Sequence, residues 1–586
     1  MPPPGVLAVS SRDPVAGVLR DARAVLASAG ILDATIHEDA GLLVATWGGF
    51  QLEADGSLLL SRGPRRRERD LGSDEVSQML GQRDVAGLVE VLPPFAAFRR
   101  LPHGEALAVT DALGFRHVYH AEWDGGAGLS TSARVLALIG DRPLDRDSLT
   151  LQSLLGWQVG QWTLFEGVTK LAAGTLVSLE GGRITMTGGR ASDPSPLGLD
   201  EAVDAATDVL RTHLTAYVDD HPDATLQLTG GQDSRILLSA IPPDRRTGLT
   251  AITLRVPGSS DAHIAADLAS RTGLRHHVEE LESLDAMDPA QALRLCLEAS
   301  TRLEGMADPL AMASLTMVER RFAQGHRIAG LGGEVARGFY YLGNQRNAVV
   351  TRARVARLAG WRMFANEAID PAALSAELRD GARERAVDRI FGLMVASGRE
   401  WLDATDDFYL YQRMQRWAGV TDTAVCLDRT VINPMLDDRF IAIARAMSPD
   451  SKRGSRFLGQ LQMALDPGLG RMPLDGRPPP SAYAYPGLLN RAHAMRTLAR
   501  KAAAKVRQRI GHSTRPPAGG DVLATKVVEQ WRRDPAMLDG ALSLDVLDES
   551  WVDQVVSGRI APAPSTVAFI LNVAALRGDR VDATPG

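Results

Sequence analysis

The stretch ATLQLTGGQDSRILLSA, Ala224 to Ala240, holds the residues best suited to chemistry. An apolar run ends in Gly230 and Gly231, then come an acid, Asp233, and a hydroxyl, Ser234, before apolar residues resume. That order predicts a strand, a tight turn and a helix. Without a Cβ, the glycines let the backbone curl and bring its N–H groups close to an anion. The helix opening near Asp233 would aim its N-terminal dipole and unpaired N–H donors at the same spot. Thr229 and Ser234 add hydroxyls. Asp233 would repel a phosphate unless a cation lay between them, which implies magnesium shared by carboxylate and phosphate oxygens. The competing reading is a plain capped turn, with Asp233 as N-cap and the glycines as the bend. No Gly-Lys-Ser/Thr follows, so the Walker phosphate loop is excluded, and the G-x-G-x-x-G dinucleotide pattern is absent here.

The elements that must position this turn read as follows. The first third of the chain is strand-like. GLLVATWGGFQLEADGSLLLSRG alternates around a Gly-containing turn and predicts a hairpin. ALAVTDALGFRHVYHAEWDGGAGLSTS predicts three strands, and TLFEGVTKLAAGTLVSLEGGRITM extends the β region to about Thr187. A polar linker, GGRASDPSPLG, follows. From Leu199 the period turns helical, and then strand-loop-helix units succeed one another. The glycine turn is the first. LTAITLRV, PGSSD and AHIAADLASRT, with Gly273 placed as a C′ glycine, are the second, and RIAGLGGEVARGFYY opens a third. Such a series predicts a parallel sheet covered by helices on both faces. Beyond Thr351 the pattern is mostly helical, with breaks at DGRPPPSAYAYPG and STRPPAGG flanking a basic helix.

The chain's 586 residues are too many for one core, so two large domains and a tail are expected. A net charge of -6 gives no reason to expect nucleic acid or an acidic membrane as the main partner. Two cysteines, Cys296 and Cys426, exclude a disulfide framework and suit a reducing cytoplasm. The start, MPPPGVLAVSSRDP, lacks the basic and apolar regions of a signal peptide, and TVAFILNVAAL is too short to span a bilayer. Only five lysines occur, Lys170, Lys452, Lys501, Lys505 and Lys526, which leaves few candidates for a catalytic amine.

LTGGQDS resembles the S-G-G-x-D-S pyrophosphate loop of the N-type ATP pyrophosphatases, with Thr229 for the usual serine. Several further segments are similar to asparagine synthetases. LRVPGSSDAHIAADLASRTGLRHH resembles their second βα unit, AGLGGEVARGFYY their G-E-G-G-D-E-L-F-G-G-Y loop, and VINPMLDDRFIAIARAMSPDSK their V-P-F-L-D segment. In the first domain, VTDALGFRHVYHAE resembles R-D-P-L-G-x-R-P-L-Y-Y, and TLFEGVTKLAAG resembles T-L-F-x-G-I-x-K-L-x-P-G. The match is collinear from about Val109 to Gly476.

The resemblance implies an α/β multidomain chain. Residues 1–190 would form a glutaminase-like, Ntn-type α+β domain. Residues 198–480 would form a parallel-sheet, adenine-nucleotide α-hydrolase-like synthetase domain with a mostly helical C-terminal part, and 481–586 a helical extension. It implies ATP and Mg2+. Asp233 and Glu334 would hold the metal, with glutamate in place of the usual aspartate at the second position. Leu228 and Leu254 would contact the adenine by their backbones, Gly330 and Gly332 would line the same pocket, and Thr229, Gly230, Gly231 and Ser234 would cradle the phosphates. The implied reaction adenylates a carboxylate with release of pyrophosphate, and an amine then displaces AMP to form an amide.

Three departures shape what the resemblance implies. Pro2 stands where glutamine-dependent members carry a cysteine, so the first domain is expected to keep its fold without glutaminase activity, as in β-lactam synthetases and lasso-peptide cyclases. Leu474 stands where the family's R-P-K-x-G loop carries a lysine, and Lys452, Arg471 or Arg477 would have to substitute. Leu331 replaces the family's glutamate or tyrosine and can be neither acid nor base. Glu304 falls where the family places a substrate-side acid, and either orients an amine or is a surface carboxylate. Tyr340 and Tyr341 are divided between core and pocket, and His276 and His277 are expected to be structural.

The leading expectation is an amide-forming ligase acting on small-molecule or peptide acids and amines, with a precursor peptide or partner protein possible in natural-product modification. The alternatives are an ammonia-dependent amidation like asparagine synthesis, a nucleotide-binding partner that no longer catalyses, and adenylation of an RNA or carrier docked on the basic helix Arg491 to Arg509.

Overall fold

The computed structural model describes residues 3–12, 18–39, 41–189, 193–255, 261–280, 284–320, 325–343, 345–485 and 519–577. The basic helix expected over Arg491 to Arg509 and the loop residues 256–260 lie outside them.

The first domain is built from two antiparallel sheets. One has six strands in the order Val168–Lys170, Tyr119–Trp123, Gly126–Ser130, Gly5–Ser11, Leu42–Trp47, Thr35–Asp39. The other has five, Arg183–Gly188, Thr175–Glu180, Glu105–Thr110, Ala96–Leu101 and Ser57–Leu59. The side-chain period of two decides how they stack. Val6, Ala8 and Val44 meet Phe98, Ala106 and Val177 between the sheets. Their alternates Leu7, Val9, Leu43 and Ala45 face outward under the helices Val18–Ser28 and Ala133–Ile139. On the far side Ala97, Leu107 and Val109 pack under the helix Ser73–Gly81. The result is helix, sheet, sheet, helix.

One expectation fails here. Leu42–Trp47 and Ser57–Leu59 were predicted as a hairpin, but they belong to different sheets. Leu42–Trp47 is buried along its whole length, covered by a helix on one face and the second sheet on the other. The Gly48-Gly49 bend, at φ of 67° and 86°, carries the chain across rather than back. The Asp-Gly-Gly turn does close a hairpin, pairing Tyr119–Trp123 with Gly126–Ser130.

The second domain holds a five-stranded, all-parallel sheet in the order Arg275–Glu280, Thr250–Arg255, Thr225–Gln227, His326–Ile328, Thr430–Ile432. The predicted strand-loop-helix series is present, with Gly273 at φ 70° closing the helix Asp261–Thr272. Thr225–Gln227 is central, and its successors lie on opposite sides of it. Its carboxyl end is therefore a topological switch point, where open parallel sheets bind ligands.

Chain beyond the sheet is helical. The helices Gly520–Arg533 and Pro564–Arg577 share one apolar cluster with Pro289–Arg302 and with the first domain's outer face, so the end of the described chain packs as part of the whole. No helix among the described residues is long and apolar enough to cross a membrane.

A continuous helical stretch ties the domains and shapes the site. It runs α-helical through Trp401–Phe408, π-helical through Tyr409–Ala418 and α-helical again through Gly419–Cys426. The π segment turns polar side chains toward the first domain. Gln415 Nε2 donates to Leu113 O at 2.6 Å, and Arg416 Nη2 donates to Gln158 Oε1 at 2.6 Å and Trp162 O at 2.7 Å. Long π segments are rare and gather at functional sites. Here the wider turn spaces this anchored face from Trp417, Thr421 and Asp422, which look the other way.

Candidate active site

The glycine turn sits at the carboxyl end of Thr225–Gln227 and leads into the helix Gln232–Ala240. Its N-cap is Gly231, with no side-chain cap, so Asp233 is not the cap that the plain-turn reading requires. Thr229 N–H donates to Ser234 Oγ at 3.1 Å, and the two hydroxyls lie 3.1 Å apart. Gly231 N–H donates to Thr229 Oγ1 at 3.1 Å, and Gly230 N–H donates to Asp261 Oδ1 at 2.5 Å. Oxygen acceptors thus already occupy the turn where phosphate oxygens are expected. A Cβ on Gly230 would meet Asp261 Oδ1 at 2.9 Å, so a larger residue would have to push that carboxylate aside.

The loop after His326–Ile328 presses against this turn. A Cβ on Gly330 would come within 3.0 Å of Ser234 N. Gly332, at φ 111°, takes a conformation open to glycine and strained for other residues. Gly333 backs directly on the Asp233 carboxylate and begins the short turn Gly333–Arg337, whose second residue is Glu334. Asp233 Oδ1 and Glu334 Oε2 are both shut from solvent with no hydrogen-bond partner. Glu334 Oε1 is held by Arg337 Nη2 at 2.9 Å. Burial, and then the Glu334 charge, pushes Asp233 up to about 7, with Arg337 and Arg477 pulling it down.

Two orphaned hard oxygens beside a phosphate-sized turn suit Mg2+, which keeps few protein ligands and completes its shell with water and phosphate. Among the described residues no group of three or more His, Cys, Asp or Glu could hold a metal without such help. Gly333→Ala tests the arrangement. The new methyl collides with the Asp233 carboxylate, and a displacement near 1 Å costs about 10²-fold in rate. Mg2+-dependent ATP turnover should fall on that scale while the melting temperature stays near wild type.

The segment MPLDGR lies over the same turn. Arg235, fully buried, donates to Met472 O at 2.6 Å and Pro473 O at 2.8 Å, fastening the segment to the Gln232–Ala240 helix. Asp475 N–H donates to Gly230 O at 3.1 Å. Leu474 is buried and paired with Arg477 through its backbone. Arg477 acts electrostatically on Asp233, whereas Arg471 is exposed. Of the three basic candidates Arg477 is the one at the site.

Lys452 is not there. It is 1% exposed, and its Nζ makes a 2.8 Å ion pair with Asp406 Oδ2, which also accepts from Tyr341 Oη at 2.8 Å. It is a buried structural cation because a helical core this close-packed needs Asp406 neutralised. Lys452→Met should lower stability by about 3–5 kcal/mol by stranding that carboxylate. A fall in melting temperature, relieved by adding Asp406→Leu, checks this.

On the side of His326–Ile328 and Thr430–Ile432 the turn opens into a cleft of about 360 Å3. Thr229, Asp233, Leu331, Trp417, Asp422 and Asn433 are among its walls. Asn433 Nδ2 donates to Asp422 Oδ2 at 2.9 Å, and Asn433 Oδ1 accepts from Leu331 N–H at 3.2 Å. Burial pushes Asp422 up to about 7 against that hydrogen bond. An acid poised near neutrality is suited to proton transfer.

Glu304 lines no part of this cleft. It is held at the domain junction, where Ala133 N–H donates to Glu304 Oε2 at 3.2 Å. At φ 50° it closes the end of the helix Pro289–Arg302, so its position in sequence did not put it on the substrate side. Tyr340 is in the core, packed edge-on against Tyr409. Leu228 is buried, its N–H donating to Ile252 O at 2.8 Å and its carbonyl accepting from Thr253 Oγ1 at 2.6 Å. His276 Nε2 lies 2.8 Å from the same hydroxyl, a structural contact. Leu254 is half-buried near the carboxyl end of its strand.

Sequence reading missed Asp422, Asn433 and Trp417. Asn433 sits in the quoted VINPMLD segment, directly before Pro434, and could have been found there. Asp422 and Trp417 lie on a helix whose π segment breaks the 3.6-residue period that would have assigned them a face.

Residues 207–456 match the family model for asparagine synthase, so this stretch of the chain is an asparagine synthetase-like domain. No curated protein matches the chain at a significant level. The family match points to ATP-dependent amidation or ligation.

Proposed function

We propose that the asparagine synthetase-like domain makes this protein an AMP-forming amide ligase, joining a small-molecule or peptide carboxylate to an amine in natural-product or peptide modification. The observation that carries the reading is the pair of orphaned oxygens, Asp233 Oδ1 and Glu334 Oε2, beside a glycine turn that opens into an acid-lined cleft.

In this reading the triphosphate exchanges the turn's internal acceptors, Asp261 and Thr229, for its own oxygens. Magnesium, when bound through Asp233 and Glu334, supplies charge neutralisation for the phosphates. Arg477 adds a fixed positive charge on the same side, the part that Leu474 cannot play. The acid's carboxylate oxygen attacks the α-phosphorus and the bond to pyrophosphate breaks. The amine nitrogen then attacks the acyl carbon, gives its proton to Asp422, and AMP leaves with the bonding electrons. Leu331 gives the cleft an apolar wall where the family carries a glutamate or tyrosine.

The facing antiparallel sheets clad in helices support reading the first domain as glutaminase-like. The test uses Mg-ATP, a panel of amino acids and short peptides, and hydroxylamine as a general amine. Pyrophosphate and a hydroxamate should form together with one class of acid. Mg-ATP binding without pyrophosphate from any acid would favour a nucleotide-binding partner protein.

A further inference from the structure

Next to the nucleotide cleft lies a second cavity, of about 310 Å3, that the ligase reading does not use. It is bounded by the first domain, by the synthetase domain and by the C-terminal helix Pro564–Arg577. Trp417 lines both it and the cleft. Its size falls in the range of small-molecule sites, roughly 300–1,000 Å3, and far exceeds what ammonia needs.

Its polar groups are those of a binding site. Trp157 is 1% exposed and Gln152 2% exposed, and both line the cavity. Trp157 Nε1 and Gln152 Oε1 are shut from solvent with no hydrogen-bond partner. Stranded buried groups are costly, and a native pocket accounts for them by a ligand or by water. One is a donor and the other an acceptor.

The charge balance favours a cation. Glu367 is paired with Arg413 at 3.4 Å. Asp308 caps the helix Pro309–Glu319 through Oδ1, accepting from Leu310 N–H at 2.8 Å, and no ion pair to it forms among the described residues. Burial, with the Glu367 charge adding, pushes Asp308 up to about 6. Trp157, Trp417 and Phe569 line the cavity together with this carboxyl and give it apolar, aromatic walls.

We propose that this cavity is a second ligand site beside the ligase cleft: it binds an organic amine with an aromatic or apolar body and one hydroxyl or carbonyl, its ammonium toward Asp308. This binding does not depend on the ligase reading and is measured without turnover.

The probe is tyramine, with tyrosol, in which a hydroxyl replaces the amine, as its control. Calorimetric titration of the full chain should show saturable tyramine binding, with tyrosol at least tenfold weaker. Ala568→Trp, which fills the cavity, should abolish it. Asp308→Asn, which keeps the helix cap, should weaken tyramine at least tenfold and leave tyrosol unchanged. Trp157→Phe should cost about three- to tenfold, one hydrogen bond. Melting temperature and Mg-ATP binding of each variant control for folding. Equal binding of tyramine and tyrosol, no binding of either, or binding that survives Ala568→Trp overturns the proposal. Acid-dependent ATP–pyrophosphate exchange is read separately. Its absence with tyramine binding intact counts against the ligase reading alone, and its presence without tyramine binding counts against this pocket alone.

Discussion

Asp233→Asn lowers Mg2+-dependent pyrophosphate release by about 10²–10³ and, in metal-free buffer at pH 8, raises the melting temperature. Both follow from one geometry. Asp233 Oδ1 and Glu334 Oε2 face a buried space with no partner, so Asp233 is costly to keep ionised until a cation arrives. Removing the charge removes the ligand. Losing one preorganised electrostatic group of this kind costs about 10²–10³ in turnover. Nucleotide affinity should fall less, because the turn's N–H donors and Arg477 remain. For stability, Asp233 is raised from 3.8 to about 7 in the folded chain, so the folded state holds the proton across that window while the unfolded state has lost it. Stability from this group is therefore present below pH 3.8 and is lost as pH rises through about 7. Asparagine never ionises, so the variant gains at pH 8 and converges with wild type near pH 4. Calorimetric scans in chelator at the two pH values measure this. A variant no more stable than wild type at pH 8 would mean the two carboxylates do not burden each other.

What the sequence made legible was the part of the site written in contiguous residues. Thr229, Gly230, Gly231, Asp233 and Ser234 fall within one turn, where local sterics fix the backbone before any distant contact forms. The parallel sheet was readable because each strand-loop-helix step announces itself by a change of period. The acceptor side was not. Asn433 meets Leu331 because the strands Thr430–Ile432 and His326–Ile328 that lead into them are paired, whereas Asp422 and Trp417 reach the cleft from the Trp401–Cys426 stretch, whose π segment hides their common face. Glu304 and Lys452 went the other way. Their types and spacing suited chemistry, but one is drawn to the domain junction by Ala133 N–H and the other into the core by Asp406. A charged side chain far from the turn in sequence is assigned by its burial partner, which only the packed chain supplies. The hairpin error has the same origin, since period two is shared by strands of either sheet.

Asp422→Asn separates the two halves of the proposed reaction. Acid-dependent ATP–pyrophosphate exchange should persist, because Asp233, Glu334 and Arg477 carry that half. Amide formation should fall by about 10²–10⁴, the usual worth of a positioned general base. The pH profile gives the sign. Asp422 must be ionised to accept the amine's proton, and burial holds it up to about 7. Wild-type amide formation should therefore rise with pH through about 7 and level off above it, while the variant's residual rate loses that rise. Asparagine at this position preserves the shape that Asn433 contacts at 2.9 Å, so the fold has no reason to change. Asn433→Leu should raise the Asp422 pKa further, since a hydrogen bond to the ionised form is lost, and so shift the midpoint of the profile upward. That displacement distinguishes a working base from a merely structural carboxyl. A structural Asp422 would give equal losses in exchange and in amide formation, with no movement of the midpoint.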